Sequence, residues 1–182
     1  IPLIFKLNVP QKIFEQALLL LFNQSPVFRT AFYEDSNGQV RSFFQSNQDM
    51  LSIEYFHVDS EIALKNCFSS CASKKFNLSE SCIQICCIKY EDDTFMMLNI
   101  HHIIFDGWSI TLMLQHLDDY LANKNIQQEP DSINYSAFAH WQRQFIKNDI
   151  DFTQQLDYWQ QYLGGFENQD MYKDFKLGNN EM

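Results

Sequence analysis

At 182 residues, 46% hydrophobic and 15% aromatic, the chain carries enough apolar side chain for one globular core and too much for disorder along its length. Its 13 basic and 23 acidic residues give a formal charge of −10, which opposes the phosphate attraction that dominates nucleic-acid binding, so nucleic acid is set aside as a partner. No apolar run reaches the ~18 to 20 residues of a membrane helix, so no membrane association is expected and the chain reads as soluble.

The chain opens on PLIFKLN at 2–8, a run of large apolar residues that reads as a strand. Pro10 then suits the first turn of a helix running to about Asn23. VFRTAFYED and QVRSFFQS flank Ser36-Asn37-Gly38, and Asn-Gly between two strand-like runs predicts a β-hairpin over 27–46. From Ser60 to about Lys75 the pattern turns helical. CIQICCIKY and TFMMLNIHH, either side of Glu91-Asp92-Asp93, predict a second strand pair. Ile110, Met113, Leu114, Leu117 and Leu121 form the stripe of an amphipathic helix starting just beyond Gly107. Two further helices are expected, one around Tyr135 to Phe145 and one with Phe152, Leu156, Trp159 and Leu163 on a single face, closed by Gly164-Gly165. Tyr135, Trp141 and Trp159 are expected to pack these helices against the sheet. Strands mixed with helices predict an α/β or α+β two-layer domain. The stretch from 166 to 182 has weak periodicity and is expected to be a linker or a disordered tail.

The five cysteines, Cys67, Cys71, Cys82, Cys86 and Cys87, do not form the even framework of a small secreted domain. A reducing cytoplasm is the simpler expectation, in which the N-x-S triplets beginning at Asn23, Asn77 and Asn134 are accidental. Their spacing does not suit structural zinc either, so no metal is expected. The first residue is Ile1 rather than Met, and the chain reads as a piece of something larger.

The chemistry concentrates in NIHHIIFDGWS at 99–109. His101-His102, three residues, then Asp106-Gly107 places an imidazole active near neutral pH close to a carboxylate at a strand-to-helix turn. Strand alternation puts His102 with Met96, Leu98 and Ile100, and His101 with Asn99, so at most one histidine reaches a given site. Glycine at 107 answers either a positive φ or a close backbone approach to a ligand. The residues alone leave two readings open: a reactive histidine, or a hydrogen-bonded core His102 beside an Asp106 helix cap.

HHIIFDG matches HHxxxDG, and in this the chain resembles the condensation domains of nonribosomal peptide synthetases and the wider chloramphenicol-acetyltransferase-like acyltransferases. SPVFRTAF at 25–32, FNLS at 76–79, NYSAFAHWQ at 134–142 and LDYWQQYLGG at 156–165 resemble further condensation-domain motifs in the same order. The resemblance implies a chloramphenicol-acetyltransferase-like lobe over residues 1–165, a mixed sheet packed by helices, incomplete at its start and lacking the second lobe. It implies amide-bond formation between a donor acyl or peptidyl thioester and an acceptor aminoacyl thioester, both held on the phosphopantetheine of partner carrier proteins, with no cofactor of the domain's own. Peptidyl carrier protein domains, neighbouring synthetase domains and the second lobe are the implied partners. His102 is then the catalytic residue, taking the amine's proton or orienting the amine. Asp106 is structural and paired with Arg29, whose bland alternative is an arginine that snorkels to solvent. Gly107 lines the substrate tunnel, and His101 supports the site. Phe105, Ala137 and Ile85 stand where serine, aspartate and arginine are common. The rival readings are a non-catalytic fragment that docks carrier proteins or acts as a scaffold, and an acyltransferase using coenzyme A. The fragment by itself is expected to be inactive.

Overall fold

The computed structural model describes residues 1–46, 50–122, 135–148 and 150–166. They fall into two compact units, residues 1–134 and 135–182.

The first unit is built on a four-stranded sheet in the order β1-β6-β5-β4. Its strands are β1 (Pro2–Lys6), β4 (Ile53–Val58), β5 (Ile83–Tyr90) and β6 (Asp93–Ile100). β5 and β6 are the inner strands, and their sequences ICCI and FMMLNI are near-continuous apolar runs, as burial on both faces demands. They pair antiparallel, Ile83 opposite Ile100 and Tyr90 opposite Asp93, across a tight turn in which Glu91 takes φ 51°. β1 pairs antiparallel with β6, Pro2 opposite Asn99, and its proline is tolerable because the strand is an edge. β4 runs parallel to β5, Ile53 opposite Ile85. A parallel neighbour needs a crossover, and α2 (Glu61–Ser73) supplies it. The Ser60 hydroxyl starts that helix by accepting the Ala63 N–H at 3.2 Å.

Alternation along the strands splits the core in two. Met96, Leu98 and Ile100, with Ile85 and Cys87, face α1 (Gln11–Gln24) and α3 (Gly107–Leu121). α1 contributes Phe14, Ala17, Leu18, Leu21 and Phe22, a stripe at three- and four-residue steps, and stops just before Pro26, which cannot continue it. α3 contributes Met113 and Leu117, with Ile110 and Leu121 partly buried; Leu114, expected on the same stripe, is 41% exposed. Met97, Cys86 and Ile88 face the opposite way and meet Leu64 and Cys71 of α2. The α/β class with a mixed sheet is as expected, with helices on both faces of the sheet.

The hairpin is β2 (Thr30–Glu34) with β3 (Val40–Phe44). It begins three residues later than the sequence predicts because Pro26–Arg29 forms a 3-10 turn. Its loop is closed by Asp35, whose Oδ1 accepts the N–H groups of Asn37 and Gln39 at 2.9 and 3.0 Å, and Gly38 takes φ 73°. The strand β4 is an addition to the sequence reading, which placed no element there.

The second unit contains α4 (Tyr135–Asn148) and α5 (Ile150–Leu163). Tyr135, Phe138, Trp141 and Phe145 stack successively along α4, with ring centroids 6.0, 5.8 and 5.5 Å apart. Tyr135, Trp141 and Trp159 are each more than half exposed. Gly165, φ 92°, ends α5 as predicted. Of the tail expected over 166–182, all but Phe166 lies outside the described residues. No helix among the described residues is long and apolar enough to cross a membrane.

Candidate active site

The two histidines sit where the inner strand β6 gives out. β6 ends at Ile100, which is fully buried, and the chain turns at once. His101 carries that turn with three backbone-directed bonds. Its N–H donates to Cys82 O at 2.9 Å, its carbonyl accepts the Ile104 N–H at 3.2 Å, and its ring Nδ1 accepts the Ile103 N–H at 3.1 Å. The ring meets Phe76 edge-on, centroids 5.2 Å apart and planes at 80°. His101 is therefore half-buried on the Asn99 side of the sheet, as alternation predicts.

His102 departs from that parity. Alternation puts it with Met96, Leu98 and Ile100 in the main core, yet it is exposed, because the turn begins before the strand reaches it. The core-histidine reading of His102 is thereby overturned. Ile104 and Phe105 then dive back into the core, and Phe105 packs on Phe28 with ring centroids 6.0 Å apart. This contact gives the phenylalanine at 105 an apolar role. His102 is thus a solvent-facing imidazole on a short arch anchored at both ends by buried residues.

Asp106 is the N-cap of α3. Its Oδ1 accepts from the backbone N–H of Ser109 at 2.8 Å and from the Ser109 hydroxyl at 2.7 Å. The Ser109 hydroxyl and amide hold the carboxyl below its ordinary value of 3.8, with the nearby His102 charge contributing least. Arg29 does not pair with Asp106: no ion pair joins them among the described residues. Its Nε, Nη1 and Nη2 donate to the carbonyls of Phe22, Gln45 and Asn23 at 3.2, 2.5 and 3.4 Å. Two of those carbonyls belong to the last turn of α1, where a cation satisfies groups that have no helical partner. Arg29 neither snorkels nor meets the carboxylate; it ties α1 to the segment after β3. Gly107, the first residue of α3, has no positive φ, and a Cβ added there would meet nothing within 4 Å. The turn itself therefore demands glycine neither by its φ nor by space within the chain.

All five cysteines are free thiols. Burial raises the thiol of Cys71 to about 12 and those of Cys67 and Cys82 to about 11, and it raises Cys86 and Cys87 as well. Such thiols stay protonated near neutrality and are poor nucleophiles. No group of three or more His, Cys, Asp or Glu is placed to hold a metal ion among the described residues. A recess of about 230 Å³ lined by Gln11, Tyr55, Phe56, His57, Cys87 and Lys89 lies at the other end of β5 from the histidine turn. Of the two histidines in the turn, His102 is the exposed one and is the candidate for reaction.

Comparison with known proteins fits this geometry. The family model described as "Condensation domain" matches residues 2–176. The chain belongs to the condensation-domain family. A linear gramicidin synthase of Brevibacillus parabrevis is 33% identical over 102 residues, 53% of this chain and 1% of that protein. Bacitracin synthase 3 of Bacillus licheniformis is 24% identical over 168 residues, 88% of this chain and 2% of its own length. Among solved structures, the X-domain from teicoplanin biosynthesis superposes with a TM-score of 0.77 at 15% identity, covering 91% of this chain and 38% of that one. The chain thus has the fold of part of a condensation domain and spans a few per cent or less of these synthetases.

Of the residues singled out in the sequence, His101, His102, Asp106 and Gly107 lie together on one arch, whereas Arg29 donates to backbone carbonyls rather than to Asp106. The sequence did not single out Phe76, Asn99 or Ser109, which the structure places around the arch. Ser109 had a readable signal, a hydroxyl three residues beyond an N-cap aspartate. Phe76 and Asn99 had none, because their contacts cross between the end of α2 and the end of β6.

Proposed function

We propose that this chain forms the amino-terminal lobe of a condensation domain that joins a donor acyl or peptidyl thioester to the amine of an acceptor aminoacyl thioester, each carried on the phosphopantetheine of a carrier protein. The observation that supports this best is the exposed His102 on its arch between a buried strand and a capped helix. In the reaction the amine nitrogen attacks the thioester carbonyl, a C–N bond forms, the C–S bond breaks, and the amine proton ends on the departing thiolate. An imidazole facing solvent serves that transfer by taking the proton or by holding the amine for attack. The open backbone at Gly107 leaves room for a thioester arm to pass beside it. Asp106 shapes the arch without touching substrate, and His101 holds it. The domain brings no cofactor of its own. The second lobe, the carrier proteins and neighbouring synthetase domains are the partners, and a reducing cytoplasm is the setting. The 182-residue chain on its own is inactive, because the other wall of the substrate passage lies outside it.

The test is to mix the full-length protein that carries this chain with two loaded carrier proteins and weigh the acceptor carrier by mass spectrometry. Growth of the acceptor by the donor acyl mass, stable to thioester-cleaving hydroxylamine at the new bond, is expected. Binding of both carriers without any amide product would favour a scaffold instead, and acyl transfer only from coenzyme A would favour the acyltransferase reading.

A further inference from the structure

Asn99 is a polar side chain 3% exposed at the penultimate position of β6, directly after the apolar run Phe95–Leu98. A buried amide is costly unless its hydrogen bonds are made, so its position calls for a physical reason. Its Nδ2 lies 3.3 and 3.2 Å from the carbonyls of Cys71 and Ala72, in the last turn of α2, and 3.3 Å from Gln84 Oε1. Gln84 is its direct cross-strand partner, and the Gln84 amide donates onward to Lys75 O at 2.9 Å. Two amides on neighbouring strands therefore grip the end of α2 and the segment that follows it. The next residue is Phe76, whose ring stands edge-on to His101.

We infer that Phe76 is a positioning residue for the His101–His102 turn, seated there by the Asn99–Gln84 amide clamp. The inference rests on His102 being the reacting group. With Phe76 against one side of its ring, His101 keeps Nδ1 aimed at the Ile103 N–H, which fixes the backbone on both sides of His102. His102 is exposed, and its direction follows from the backbone that His101 fixes on both sides of it. Small misplacements of a reacting group are costly to turnover.

The test uses the full-length protein, comparing Phe76→Leu, Phe76→Tyr, Gln84→Leu and His102→Ala by steady-state amide formation and by hydrogen exchange of the 100–106 segment. Phe76→Leu is expected to lower kcat about tenfold with KM changed less than about twofold, because the carrier contacts are untouched. Phe76→Tyr keeps the edge contact and restores kcat. Exchange at the Ile103 and Ile104 amides quickens in Phe76→Leu and in Gln84→Leu but not along β5 and β6, which separates a loosened turn from a loosened fold. Combining Phe76→Leu with Gln84→Leu loses no more than the worse single variant, since both act by one route. Unchanged exchange at those two amides, or unchanged kcat in an enzyme that His102→Ala disables, overturns the inference. Full turnover in His102→Ala instead overturns the proposed function, and exchange alone then decides whether Phe76 holds the turn.

Discussion

Asp106 directs Oδ1 at both donors of Ser109, and this local choice explains why it has no need of a distant arginine. Asp106→Ala is expected to lower the thermal midpoint, while Asp106→Asn keeps most of the cap because asparagine caps about as well. The pH dependence has a definite sign. The folded carboxyl titrates below its ordinary 3.8, so its contribution is complete above that value and is lost as pH falls through the lower folded one. The difference in thermal midpoint between the parent and its Asp106→Ala variant should stay flat from neutrality to about pH 4 and shrink below it. The capping role of Asp106 was legible from its place before a helical stripe. The partner of Arg29 was not, since both carbonyl and carboxylate acceptors suit a guanidinium and only the fold decides which is near. The exposure of His102 was lost for a similar reason: alternation holds only while the strand lasts, and Ile100 is its last residue.

Elements with a strong burial pattern were the ones read correctly. α1, α2 and α3 carry apolar residues at helical spacing and β5 and β6 carry near-continuous apolar runs, and their bounds differ from the predicted ones by a few residues at most. β4 is absent from the sequence reading because four of its six residues are exposed and SIEYFHV shows no sustained alternation. It is held by parallel pairing to β5, a long-range fact with no local signature. The α1 stripe offers a direct test of the packing account. Leu18 is fully buried, whereas Leu20 is 49% exposed. Leu18→Ala should cost about 2 to 5 kcal/mol in chemical denaturation, and Leu20→Ala should stay within about 0.5 kcal/mol. Equal effects at the two positions would mean that α1 does not pack on the sheet through the face described.

At the scale of the molecule, the superposition on the X-domain takes in 91% of this chain but only 38% of that one. The aromatic ladder of α4 and the exposed Tyr158, Trp159 and Tyr162 of α5 lie in the second compact unit, whose two helices the sequence predicted. Burial of an aromatic stripe depends on what lies opposite, and sequence period reports only that a stripe exists. Family membership rests on the whole run from residue 2 to 176, while the chemistry rests on one exposed ring. The most direct measurement is therefore the rate of amide formation by the full-length protein and its His102→Ala variant, both shown to be folded by matching far-ultraviolet circular dichroism. The account predicts that the variant falls by about 100-fold or more, the scale of a lost acid–base group. A folded variant that still forms amide at the parent's rate would contradict it.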